Sequence, residues 1–171
     1  DHIRQILQAG LNAPSARNSQ PWHFSVVTNK EILKQINEAV LAGMPKGAPG
    51  VQGTQNDKRV APPKKLGLTD APAAIFVYGT SNLSTDPFDC GLATEAMSIA
   101  ALSLGYGTKI MASPAIALNS EKKADFDKLL QIPQGYSFVS VLIIGRNDES
   151  IDAPTGASPR KSMEEKVRFI N

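Results

Sequence analysis

Residues 90–104 include Cys90, Leu92, Ala93, Ala96, Met97, Ile99, Ala100, Ala101, Leu102 and Leu104, and Glu95 is the only charge among them. The run has helical length, no proline and no charged face, so a helix here must be covered on most sides. Its alanines let neighbouring backbones come close. The chain has 171 residues, one domain by length, which is little material to wrap such a helix. A second subunit is therefore expected to supply part of the cover. Asp86 reads as the N-cap with Pro87 at the first helical position, and Gly105-Tyr106-Gly107 ends the helix.

The other elements follow from periodicity. Ile3, Ile6, Leu7 and Leu11 fall at helical spacing, so the first helix ends near Asn12-Ala13-Pro14. Residues 23–28 read as a strand. Thr28 and Glu31 read as a capping box for a helix with Ile32, Leu33, Ile36 and Val40 on one face, ending near Gly43. Residues 71–79 read as a buried strand and 108–112 as a short one. Ser120-Glu121 begins a helix carrying Phe126, Leu129 and Leu130. Residues 136–146 form the strongest strand, apolar enough to be central. Ser162 and Glu165 read as a capping box for a last short helix. Residues 44–68 are rich in Gly and Pro, and a connection of that length is a binding loop, a lid or an insertion without function.

Composition narrows the function. Net charge is +2 with Lys and Arg scattered, which gives no case for nucleic acid or a membrane surface. The lone cysteine, Cys90, excludes an internal disulfide and a multi-cysteine metal site, and its apolar run predicts inert core packing. Two histidines, His2 and His23, leave little for zinc, and no metal site is expected. No stretch is long and apolar enough to span a bilayer, and no signal peptide is visible. A cytoplasmic location is the resulting expectation, although the chain opens abruptly inside a helical pattern, as a mature or truncated start would. No G-x-G-x-x-G follows a strand, and there is no P-loop and no G-x-S-x-G.

Residues 12–27 read N-A-P-S-A-R-N-S-Q-P-W-H-F-S-V-V. A helix runs into Pro14, then into a loop crowded with the hydrogen-bonding groups of Ser15, Arg17, Asn18 and Ser19. Pro21 then fixes the chain, and the lone tryptophan, Trp22, supplies a rigid apolar anchor before a strand. A polar turn with Trp22 in the core is one reading of these residues, and a ligand-binding loop is the other.

This stretch resembles the flavin-site motif of the nitroreductase family, the FMN-dependent NAD(P)H oxidoreductases. Three further blocks match in order: residues 70–77, residues 89–107, and Pro159-Arg160-Lys161 with the helix start after it. The resemblance covers nearly the whole chain, read as a single domain over residues 1–171. It implies an α+β fold, a mixed but mainly antiparallel sheet packed with helices, in a homodimer with FMN at the subunit interface. It implies that Pro14, Ser15, Ala16 and Asn18 approach the flavin bound mainly by the partner chain. Backbone groups at Ala112 and Ser113 would meet the N5 edge, and Arg160 and Lys161 would reach the FMN phosphate. A solvated basic pair beside a helix start is the other reading of those two cations. Members usually begin with an Arg-x-Ser-x-Arg segment, for which this sequence has no counterpart. The family places Asn and Lys contacts to the pyrimidine edge before the second strand, and Asn56, Lys58, Lys64 and Lys65 lie nearby.

The activity so implied is ping-pong hydride transfer from NAD(P)H through FMN to a nitroaromatic, quinone or similar acceptor. No side chain is assigned as a general acid or base, because the flavin N5 carries the chemistry. The alternatives are a flavin- or nucleotide-binding module without redox turnover, and a different flavin chemistry such as dehalogenation on the same fold.

Overall fold

The computed structural model describes residues 1–44, 67–146 and 161–170. Helix α1 spans His2–Leu11. A single 3₁₀ turn, Ala16–Asn18, leads into strand β1, Trp22–Val27. Helix α2 spans Lys30–Gly43 and strand β2 Ala73–Gly79. Helix α3 spans Asp86–Ser103, strand β3 Gly107–Met111, and the short helix α4 Ala115–Leu118. Helix α5 spans Lys123–Leu130, strand β4 Ser137–Gly145, and a final turn of helix, α6, Met163–Lys166.

The four strands form one antiparallel sheet in the order β1-β2-β4-β3. The two most continuous apolar runs, β2 and β4, take the interior positions, and all seven residues of β2 are buried. Side chains alternate across the sheet. Ala74, Phe76 and Tyr78 join Leu33, Ile36, Val40, Leu118 and Phe126 in a core under α2, α4 and α5. Ile75 and Val77 join Ile6, Cys90, Ala93, Met97 and Ala101 in a second core under α1 and α3. A bulge breaks the register between Val77 and Tyr78, so that Val77 faces Ser140 while Tyr78 faces Phe138. Phe138 and Val141, three residues apart, thereby reach the same core, and the Ser140 hydroxyl meets that of Thr94 on α3 at 2.8 Å.

Two glycines mark where α3 comes closest. A Cβ on Gly10 of α1 would stand 2.7 Å from Met97 Cγ, and one on Gly79 would stand 2.7 Å from Cys90 Sγ. The lone cysteine is free and fully buried, as its apolar run predicts.

Three expectations shift at helix starts. Asn29, not Thr28, caps α2, because its carbonyl oxygen accepts the amides of Glu31 at 2.9 Å and Ile32 at 3.4 Å. Thr85 stands at the N-cap of α3, and Asp86 is already helical, its carboxylate turned to Thr80 and Leu83. α5 begins at Lys123 rather than at Ser120, whose hydroxyl and carbonyl hold the preceding turn. The Ser162 cap of α6 is present, with its hydroxyl accepting the Glu165 amide at 3.3 Å. Residues 45–66, with Asn56, Lys58, Lys64 and Lys65, lie outside the described residues, as does Arg160.

Candidate functional site

The segment between α1 and β1 has an unusual backbone. Arg17, Asn18 and Gln20 have φ of +56°, +55° and +45°, and the only other non-glycine residue at positive φ among the described residues is Gln131. Each left-handed non-glycine residue costs free energy, least for asparagine, and such clusters favour functional loops. The residue before a proline normally avoids this region too, yet Gln20 precedes Pro21.

Local and distant bonds hold the loop. The Ser15 carbonyl accepts the Asn18 amide and the Ala16 carbonyl accepts the Ser19 amide, both at 3.0 Å. The Ser15 hydroxyl accepts the Gln20 amide at 3.0 Å, which leaves its own proton free to donate. The Gln20 side-chain amide donates to Asn18 Oδ1 at 3.2 Å, so both protons of the Asn18 amide remain available. From α3, Asp89 Oδ2 accepts the Ala16 amide at 3.0 Å. At the far end, the Pro21 carbonyl accepts the Thr80 amide at 3.0 Å. Trp22 follows, 7% exposed and stacked on Phe24 with ring centroids 6.3 Å apart. It is the core anchor that the sequence predicts.

Pro14 and Asn18 are exposed, and Ser15 and Ala16 are half-buried. These four predicted residues form one connected surface. Ala112 and Ser113 occur elsewhere, where β3 ends. Ala112 is exposed and Ser113 half-buried, and their carbonyls accept the amides of Ala115 and Ile116, which starts α4. β1 begins beside the end of β2, and β3 ends beside the middle of β4 and runs on toward its start, so both segments leave the sheet toward the same end. They nevertheless sit on opposite edge strands, about 14 Å apart at the usual strand spacing. Lys161 is exposed and lies 3.9 Å from Glu165, one turn on. The protomer thus assembles the loop group and the β3 turn as two separate patches, and Lys161 has its ion pair with the short helix that directly follows it.

The part of the site that sequence reasoning misses is Asp89. It is one of two acids in the first turn of an otherwise apolar helix, and only 3% exposed. A carboxylate kept inside such a run needs a specific donor, and that was its signal in the sequence. Its neighbour Asp86 accepts the Thr80 hydroxyl at 2.7 Å and the Leu83 amide at 3.1 Å. Those bonds, the hydroxyl first, hold the Asp86 carboxyl below its ordinary pKa. The Cys90 thiol moves the other way. Burial, helped by the charges of Asp86 and Asp89, raises it from 9.0 to about 12, so it is a neutral packing group and not a nucleophile.

The described residues hold no group of three or more His, Cys, Asp or Glu that could bind a metal ion. No helix among them is long and apolar enough to cross a membrane.

The family model described as Nitroreductase family matches residues 1–146. The chain belongs to the nitroreductase family. A protein of Archaeoglobus fulgidus, provisionally named NADH dehydrogenase/NAD(P)H nitroreductase, is 33% identical over 150 residues, which are 85% of this chain and 72% of that protein. A nitroreductase from Desulfitobacterium hafniense DCB-2, solved with bound FMN, superposes with a TM-score of 0.77 at 24% identity over 99% of this chain and 86% of its own. A second, from Bacteroides fragilis NCTC 9343 and also with bound FMN, gives 0.77 at 20% identity over 100% and 87%. At those identities the two structures establish the nitroreductase fold. The helices and four-stranded antiparallel sheet are the α+β architecture that the resemblance implies.

Proposed function

We propose that this nitroreductase-family chain is an FMN-dependent NAD(P)H oxidoreductase that works as a homodimer. The observation that carries the reading is the strained loop at residues 16–20, bonded to α3 and presenting Ser15, Ala16 and Asn18 at its surface. The donor set fits an isoalloxazine edge, which offers carbonyl oxygens and ring nitrogens: one hydroxyl proton on Ser15 and two amide protons on Asn18. Two FMN-bound structures of the same fold support it, as does the provisional name of the archaeal relative.

Within that reading, Pro14, Ser15, Ala16 and Asn18 orient the flavin held mainly by the partner chain. Ala112 and Ser113 border its N5 edge. Arg160 and Lys161 hold the phosphate, the first as a bidentate pair and the second as a point charge. Bound there, the flavin supplies two-electron chemistry at N5 between NAD(P)H and a nitroaromatic, quinone or similar acceptor in a ping-pong sequence. The separation of the loop from the β3 turn in one protomer supports a site shared between two chains.

The decisive experiment is the visible spectrum of the purified protein, followed by anaerobic addition of NADH and then NADPH. A yellow protein that bleaches is the expected result. A yellow protein that stays yellow would favour a binding module without turnover. A colourless protein that ignores added FMN would end both readings.

A further inference from the structure

A loop with three non-glycine residues at positive φ needs something to hold it, and its own four-residue turn is not enough. Both ends of the loop lead to the same place, the first turn of α3. At the near end, Asp89 Oδ2 accepts the Ala16 amide at 3.0 Å across 73 residues of sequence. At the far end, the Pro21 carbonyl accepts the Thr80 amide at 3.0 Å, and the Thr80 hydroxyl donates to Asp86 Oδ2 at 2.7 Å. Asp86 and Asp89 are 1% and 3% exposed. A charge-assisted acceptor makes the stronger bond.

We propose that Asp89 is a positioning residue for the cofactor: its carboxylate at the near end of the loop, with Asp86 acting through Thr80 at the far end, locks residues 16–20 in the conformation that receives the flavin. This rests on reading that loop as a flavin contact. Asp89 touches no cofactor atom in this scheme and acts only through the Ala16 amide. An acceptor oxygen at that point is what matters, so asparagine can stand in for aspartate where alanine cannot.

The test is a fluorescence titration of FMN against the wild type, Asp89→Ala, Asp89→Asn and Ile36→Val. The last variant loosens the core on the other face of the sheet and serves as a stability control. The expected result is an FMN Kd raised about tenfold in Asp89→Ala, the size of a lost bond to a charged acceptor, and mostly recovered in Asp89→Asn. Ile36→Val should lower Tm and leave Kd alone. Wild-type affinity in Asp89→Ala would overturn the proposal. So would an asparagine variant no better than the alanine one, or Kd values that simply track Tm across all four proteins. Should Asp89→Ala fail to fold, hydrogen exchange at the Ala16 amide of the wild type decides. Slow exchange supports the lock, and exchange at the rate of an open loop overturns it. A wild type that binds no FMN would defeat the functional reading instead, and the Ala16 exchange rate would still report on the lock.

Discussion

Gly79 and Cys90 show how tightly α3 is set against the sheet. A methyl group on Gly79 would have to displace the Cys90 sulfur, 2.7 Å away, and Val139 Cγ2, 3.3 Å away. Both neighbours are packed, so Gly79→Ala is expected to destabilise the fold by about 1–3 kcal/mol, measured by urea unfolding. The same sulfur gives the protein a pH-dependent weakness. Its folded pKa of about 12 lies above the ordinary value of 9.0, so the folded state keeps a proton that the unfolded state releases. The sign follows: the contribution is complete below pH 9 and declines as pH climbs toward 12, by at most about 1.4 kcal/mol per pH unit. Burial also raises the Tyr78 phenol, so the wild type alone cannot isolate the thiol. Unfolding curves of wild type and Cys90→Ala between pH 8 and pH 11 should converge as pH rises, and parallel curves would refute the assignment.

Among the elements, helix starts are where local chemistry can be read most finely. Asn29 caps α2 with two amides on one oxygen. Asn29→Ala should cost about 1 kcal/mol in the same unfolding assay, while Thr28→Ala should cost little. The sequence favoured Thr28 because Thr and Glu three apart are a familiar box, and Asn29 won because, directly before the helix, its amide oxygen reaches the amides of the second and third helical residues. β2 and β4 were legible for a robust reason: apolar runs that are short and rich in β-branched and aromatic residues suit interior strands. The segment 14–20 was legible as a loop, and its Pro, Ser and Asn marked it as polar. The left-handed backbone of Arg17 and Gln20 was not, since neither residue type favours it and the bonds that hold it include a distant one to Asp89. That contact spans 73 residues, beyond the reach of any local pattern. The four-residue α4 was missed because one turn has no period to detect.

For the molecule as a whole, the outward face of α3 decides its company. Phe88, Ile99 and Leu102 are 67%, 58% and 54% exposed, and they fall with Gly91 and Glu95 on one stripe at helical spacing. Leu11 on neighbouring α1 adds a further apolar patch, 48% exposed. The apolar helix is thus covered on its sheet side by its own chain and left open on the other, as its sequence predicts. A second copy is the expected cover. Light scattering at micromolar concentration should give a dimer, and Ile99→Glu should give a monomer that has lost flavin colour. A stable wild-type monomer would contradict this.

The placement of the strained loop and the β3 turn on opposite rims of the sheet has a genetic corollary. If each pocket draws its loop from one chain and both its β3 turn and its phosphate grip from the other, two crippled alleles can rescue each other. A chain damaged in residues 14–20 and a chain carrying Arg160→Ala, each inactive alone, would form mixed pairs in which one pocket inherits both defects and the other inherits neither. Random pairing of equal amounts should restore about a quarter of normal activity. An enzyme whose pockets each lay within a single chain would show no such rescue, whatever the proportions in which the two alleles were expressed.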